Sequence, residues 1–458
     1  MTDGTTADST RPGTARHDSS GTRWLAAFGR GLAVCVLPII VGLWMAATTF
    51  VGGTLIPWRA HMVDLDVYRR AGATLLEGGD FYALPGPLPF LYPPFAALLA
   101  VPLTLLPSAA VEIAWTVAGV LAVLAVLHRF GLSGWRLSLL GAACVYFVDP
   151  MSETLAFGQP GIFLMALVVL DLVPGPAVLR RRILPPGVLT GLAAAVKLTP
   201  AIFVIYLIAV RRWRAAVAAV VSGAAVTVAG LVVVPGPSID FWTRLAGGDT
   251  GLGQSLIYFT NQSVMANVVR ILDPGPAPAM IGLGLSAVVG LVGVWAAMLW
   301  HRLGNIGFAV TLCGIAGLLA SPISWLHHFV WVVPLAVCLI GGNSSRKRVE
   351  LPTAQLPTAL VVWGWLFVGW VIAQLPIVPA PLRRLPNGAD LELQWRWWQH
   401  AVASVTTLLG VGLLVMSVVA AQRLRRAPRG SAHSSRPGDQ DLEVVFKKPI
   451  STVDHHNA

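Results

Sequence analysis

Apolar runs of about 20 residues recur from one end of this chain to the other, most of them closed by arginine, proline or glycine. That feature limits the fold more than any other. A bilayer offers no water to exposed peptide groups, so runs of this kind cross it as helices, whose backbone bonds are all internal. The charge content agrees: 12% of the 458 residues are charged, where a soluble chain carries about 25%. The expected fold class is all-α, a polytopic helical membrane protein.

The net charge of +11 would suit a nucleic-acid binder, but in a membrane chain a basic excess belongs to cytoplasmic loops. Nucleic acid is therefore not an expected partner, whereas membrane lipid is. Cys35, Cys144, Cys313 and Cys338 sit in apolar runs without C-x-x-C spacing, which argues against a zinc site or a disulfide framework. They read as small core residues.

Spans are expected at about 24–50, 111–128, 137–150, 155–174, 214–234, 280–301, 305–320, 325–341, 357–376 and 400–421. The stretch 186–210 is either one crossing or two short legs meeting at Lys197–Pro200. Two legs keep Arg180–Arg182 and Arg211–Arg214 on one side, as the positive-inside bias asks. A proline suits the bend. The result is about 12 transmembrane helices with both termini cytoplasmic. Most of the 32 Lys and Arg then lie inside, and more than half of the 21 Asp and Glu outside. Residues 1–23 and 423–458 read as disordered cytoplasmic ends around a membrane domain of 24–422.

The first outer loop is long. It holds VDLDVY (Val63–Tyr68), the turn-rich Gly78–Pro89, and LYPPFAALLAVPLTLLP, which is too short and proline-broken to cross and reads as interfacial helix. On this topology the acids of that loop, Asp149–Gln159, Lys197, Gly247–Arg270 and Ser321–His328 share the outer face. Polar groups from distant segments meeting on one side mark a site.

Each group has a plainer alternative. Asp64 and Asp66 open an amphipathic helix; residues two apart diverge by about 200°, so only one can face a given site. Asp64 shares its face with Tyr68, and either acid also suits an N-terminal cap. Lys197, in GLAAAVKLTP, is either a snorkelling lysine or a cation placed for phosphate. Ser324, Trp325, His327 and His328 stand in SPISWLHH, which fits an aromatic belt or ligand contact. Metal binding there is less expected, since no H-x-x-x-H or nearby carboxylate supports it. Asn261, Gln262, Ser263 and Arg270 suit sugar hydroxyls as well as an ordinary loop, and Gln159 in SETLAFGQPG is a weaker signal of the same kind. Trp395, Trp397 and Trp398 read as an interfacial belt.

Taken together and in order, DLDVYRRAGATLLEGGDFYA, FLYPPFAALLAVPL, FGQPGIFLMALVVLDL, GLAAAVKLTPAIFVIYLIAVRRWRAA, NQSVMANVVR and SPISWLHHFVWVVP resemble the actinobacterial polyprenyl-phosphate-mannose-dependent α-mannosyltransferases. These form glycosyltransferase family 87, with the GT-C membrane fold. The resemblance covers roughly residues 60–345. It implies a polyprenyl-phosphate-sugar donor, a mannosylated glycolipid or polysaccharide acceptor, and an α-1,2 linkage made with inversion on the outer face of the plasma membrane. It selects Asp64 as the base, with Asp66 as a secondary acid at the variable position of DL-x-VY. Lys197, His327 and His328 are implied at the donor phosphate, with no rule separating the two histidines, and Tyr68 and Tyr92 at the sugar or acceptor. No cofactor is implied and no metal is expected.

Two other readings stand beside this one. Within the family, a polyprenyl-phosphoarabinose donor would make an arabinofuranosyltransferase. From another class, a lipid flippase or transporter would show pseudo-symmetric halves and midplane charges, and the sequence shows no evident repeat.

Overall fold

The computed structural model describes residues 19–51, 54–57, 62–86, 88–178, 182–247, 256–341, 356–373, 385–388 and 390–426. Most of the two expected disordered ends, 1–18 and 427–458, therefore lies outside the described residues. Helix α1 (Ser19–Ala47) begins inside the segment expected to be unstructured, because Ser19 and Ser20 still join its first turn. A hairpin follows that was not expected: β1 (Thr48–Val51) pairs antiparallel with β2 (Thr54–Pro57), Val51 opposite Thr54. Its sequence, TTFVGGTLIP, carries the β-branched flanks and central glycines of a two-residue connection. All other regular elements among the described residues are helices, joined by turns and irregular segments.

Among the described residues four helices are long and apolar enough to cross a membrane alone: α4 (Ser108–Arg129), α10 (Trp213–Val233), α13 (Pro276–Arg302) and α18 (Val405–Arg426). A fifth span forms if α6 (Asp149–Phe157) and α7 (Gly161–Leu172) are taken together. The run expected as a single span at 155–174 is thus two helices bent by 117°, and the break falls at Gly158–Pro160. Gly158 adopts a left-handed φ of 71°, which ends α6, and Pro160 cannot continue it. Over the residues described in full the other apolar helical stretches run 10–17 residues, so length and composition pick out four or five crossings there, against the twelve expected along the chain.

The bundle also contains α5 (Gly134–Phe147), α8 (Val188–Val196), α9 (Ile202–Ala209), α14 (Ile306–Ala320), α15 (Val332–Gly341) and α16 (Thr358–Ile372). Its core runs through Val123, Met165, Phe203, Trp300, Phe308 and Phe367. Outward-facing residues are apolar too: Val217, Val221 and Val228 on α10, and Leu283, Leu291 and Trp295 on α13, are exposed. A soluble monomer does not display such stripes, and here they are the surface that lipid covers.

The stretch 186–210 does break at Lys197, whose extended backbone (φ −146°, ψ 132°) ends α8 before a tight turn at Thr199–Ala201. Gly187 and Gly191 lie against Ala215 and Ala219 of α10, so α8 and α10 run parallel. The chain must reverse between them, and α9 is the return leg.

A smaller lobe rests on the bundle. Helix α2 (Val63–Leu76) packs Leu65, Tyr68 and Ala71 with Phe81, Phe90, Ala97 and Ala100. It lies so close to α3 (Pro94–Ala100) that a Cβ on Gly72 would stand 2.9 Å from the Ala100 carbonyl oxygen. As read from the sequence, the proline-punctuated piece is short: α3 continues only into a 3-10 turn, Val101–Thr104.

Candidate active site

Asp64 lies in the first turn of α2, where helical periodicity turns Leu65 and Tyr68 into the lobe and Asp66 outward. Asp66 is solvent-facing and paired with Arg70 one turn on, at 2.8 Å. Asp64 is half-buried and points to the bundle. Burial raises its carboxyl above the usual 3.8, opposed by a hydrogen bond from the Gln159 side chain and by the charge of Lys197. The two acids of DLD are thus separated by the helix itself.

The bend between α6 and α7 brings Gln159 to this point. Gly158 sits directly against α2: a Cβ there would lie 2.5 Å from Leu65 Cβ and 3.0 Å from Met62 Cβ. Tyr92, just before α3, donates its hydroxyl to Gln159 Oε1 at 2.9 Å, and Tyr68 donates to the Tyr92 hydroxyl at 2.8 Å. The Tyr92 ring also lies under Lys197 Nζ, 5.3 Å from its centroid.

Lys197 Nζ in turn meets His328 Nε2 at 3.0 Å. The histidines lie in a 3-10 turn, Leu326–Trp331, with their rings at right angles and 4.6 Å apart. Here they differ: His328 faces the lysine, while the His327 ring stands edge-on to Phe157 and its carbonyl accepts from Thr154 Oγ1. Thr154 ties α6 to the histidine turn and was not foreseen, since a threonine inside an apolar helix carries no distinguishing signal. Beside Lys197 and His328 opens a small, partly open pocket, whose apolar lining includes Met165, Phe203, Leu318 and Trp331.

A second polar group lies apart from this line. Asn261, Gln262, Ser263, Arg270 and Ser324, expected to meet sugar, are all buried and bonded within the protein. Asn261 Oδ1 accepts from Ser324 N at 2.9 Å, Gln262 N donates to Ser324 O at 2.8 Å, and Ser263 Oγ donates to Pro322 O. Arg270, on α12 (Val264–Ile271), donates to the carbonyls of Tyr258 and Asn261 and to Asn267 Oδ1. Most of these bonds brace the loop that carries the histidines, as buried donors and acceptors commonly pair internally, while Gln262 Oε1 is buried without a hydrogen-bond partner. Trp325 is different: half-buried, it bridges to Asn261 and packs against Tyr258 with centroids 6.2 Å apart. Trp395 is not belt-like either, for it is buried under the Arg270 guanidinium, whereas Trp397 and Trp398 are exposed.

A carboxylate, an amine and an imidazole drawn from three distant segments, beside an apolar pocket in a helical membrane bundle, define a membrane-embedded group-transfer enzyme. The chain belongs to glycosyltransferase family 87, whose sequence model matches residues 90–322. That match includes Tyr92, Gln159 and Lys197, and stops short of Asp64 on one side and the histidines on the other. Among curated relatives, a polyprenol-phosphate-mannose-dependent α-(1-2)-phosphatidylinositol pentamannoside mannosyltransferase of Mycolicibacterium smegmatis is 37% identical over 77% of this chain and 86% of its own. A protein of the same description from Mycobacterium tuberculosis is 32% identical over 82% of this chain and 86% of its own. A phosphatidylinositol mannoside mannosyltransferase of M. tuberculosis is 29% identical over 83% and 92%. No solved structure gives a match.

Proposed function

We propose that this protein transfers mannose from a polyprenyl-phosphate mannose to a phosphatidylinositol mannoside, forming an α-(1→2) bond with inversion. The reaction takes place at the outer face of the plasma membrane, with both chain ends cytoplasmic. The observation that carries this reading is the placement of Lys197 between Asp64, whose carboxyl its charge reaches, and His328, which it touches.

Asp64 takes the proton of the acceptor hydroxyl as that oxygen bonds to the anomeric carbon. General base catalysis of this kind is worth about 10²–10⁴-fold. The bond from the anomeric carbon to the phosphate oxygen breaks with its electron pair on oxygen, and polyprenyl phosphate leaves. Lys197 neutralises the charge that grows there, so the donor needs no metal at its phosphate. His328 holds the lysine from behind, and His327 lies beside it at the same end. The pocket flanked by Met165 and Phe203 takes the first part of the isoprenoid, and Trp325 offers a half-exposed face to sugar.

The test is product analysis. Purified protein is given either polyprenyl-phosphate mannose or polyprenyl-phosphoarabinose with a phosphatidylinositol mannoside, and the new linkage is determined. A 2-linked α-mannose formed only from the mannose donor is the expected result. Transfer of arabinose alone, or donor crossing vesicle bilayers without any product, overturns the assignment.

A further inference from the structure

Three side chains around Asp64 form a hydrogen-bond chain with a single direction. Gln159 Oε1 can only accept, so Tyr92 must donate to it. Tyr92 has one proton and has spent it, so the contact with Tyr68 runs from Tyr68 to Tyr92. With its oxygen engaged by Tyr92, the Gln159 amide can turn only its nitrogen toward the Asp64 carboxylate, where it donates. Polarity thus runs Tyr68, Tyr92, Gln159, Asp64 without a break.

We propose that Tyr68, Tyr92 and Gln159 are positioning residues that aim the Asp64 carboxylate and keep it ionised, rather than contacts for the sugar. The inference rests on Asp64 being the base of the transfer proposed above. Tyr68 is buried and Tyr92 half-buried, their rings packed edge to face 5.2 Å apart, and each hydroxyl is engaged within the protein. Gln159 itself is buried. A buried carboxylate would drift toward its neutral form, and a fixed amide donor opposes that. The other groups around Asp64 are accounted for. Lys197 with His328 behind it faces Asp64 from the α8–α9 break, while Asp149 and Glu153, the acids carried by α6, are not among the groups that act on it. Asp66 pairs with Arg70 on the outer side, while α3 and its 3-10 turn carry no charge.

The experiment compares wild type with Tyr92→Phe, Tyr68→Phe and Gln159→Leu, measuring kcat and both KM values against pH. Tyr92→Phe keeps the ring under Lys197 and removes only the hydroxyl. The expected result is a kcat loss of up to about tenfold, the rate equivalent of one neutral hydrogen bond. KM for donor and acceptor should stay within about twofold, and the acidic limb of kcat should move to higher pH. Tyr68→Phe, one bond further out, should shift the same limb less, which keeps the test open if Gln159→Leu folds poorly. A raised KM at unchanged kcat would mean a substrate contact. A kcat loss with an unmoved limb would mean structural support only. Either outcome overturns the relay. Absence of transfer by wild type would instead remove the functional reading on which it rests.

Discussion

Lys197 Nζ lies 3.0 Å from His328 Nε2, a contact between residues 131 positions apart. An ammonium can only donate, so that ring nitrogen must accept, and His328 stands neutral at this edge. The pair therefore presents one positive charge, carried by lysine, with the imidazole as its support.

Lys197→Met should lower kcat by about 10²–10³-fold, the usual cost of removing one donor from a developing oxyanion. His328→Gln keeps an acceptor for the lysine and should cost less than His328→Leu. Steady-state rates with a fixed lipid donor check the ranking. Equal losses for both His328 variants would place the imidazole on the substrate itself.

Asp64→Asn should reduce transfer by about 10²–10⁴-fold while the protein still assembles in the membrane. Asp66→Asn should cost little, because its carboxylate is spent on Arg70 at the solvent side. Rates of the two variants in the same membranes decide this. An active Asp64→Asn protein removes the base.

The pH profile follows from the environment of Asp64. Its carboxyl is raised above 3.8 by burial, and only the ionised form can accept a proton. Activity should therefore be full above that raised value and fall as pH drops through it. The acidic limb of kcat/KM, recorded with donor and acceptor below saturation, reports its position. A limb at or below 3.8 would contradict the burial seen here.

Gly158→Ala should be disruptive despite adding one methyl. The new Cβ would meet Leu65 Cβ at 2.5 Å, and a φ of 71° is strained for any L side chain. The backbone cost is about 1–3 kcal/mol, and α2 must yield, carrying Asp64 with it. Lowered thermal stability in detergent together with lost activity is expected.

Asn261→Ala removes the carbonyl that accepts from Ser324 N and the amide that donates to Leu256 and Pro322. Each buried group left unpaired costs about 1–3 kcal/mol. Thermal unfolding should come earlier and the histidine turn should become more open to protease. If stability is unchanged and only acceptor KM rises, the side chain contacts substrate after all.

Several parts of this were legible from residue order. The bend at Lys197 shows in its flanking arginines and in Pro200, and a helix starting near VDLDVY shows in its spacing. The hairpin at Thr48–Pro57 was legible too, but its turn signal sat between stronger apolar runs that drew the helical reading. The bend at Gly158 was hidden by composition, since SETLAFGQPGIFLMALVVL is apolar enough to read as one crossing. Residue chemistry also does not say whether Asn261 and Arg270 face a ligand or their own fold, and the bonds they make within the protein show only in three dimensions.

By itself, the order of amino acids determined that the protein lives in a bilayer, that its secondary structure is nearly all helix, and which few polar residues interrupt the apolar text. Those properties depend on local hydropathy and spacing. Only the tertiary structure decided that Asp64 rather than Asp66 faces inward, that His328 rather than His327 holds Lys197, and that Gln159 reaches Asp64. Each of these turns on the direction of a side chain across a contact between distant segments, and that direction is set by packing, which no local pattern encodes.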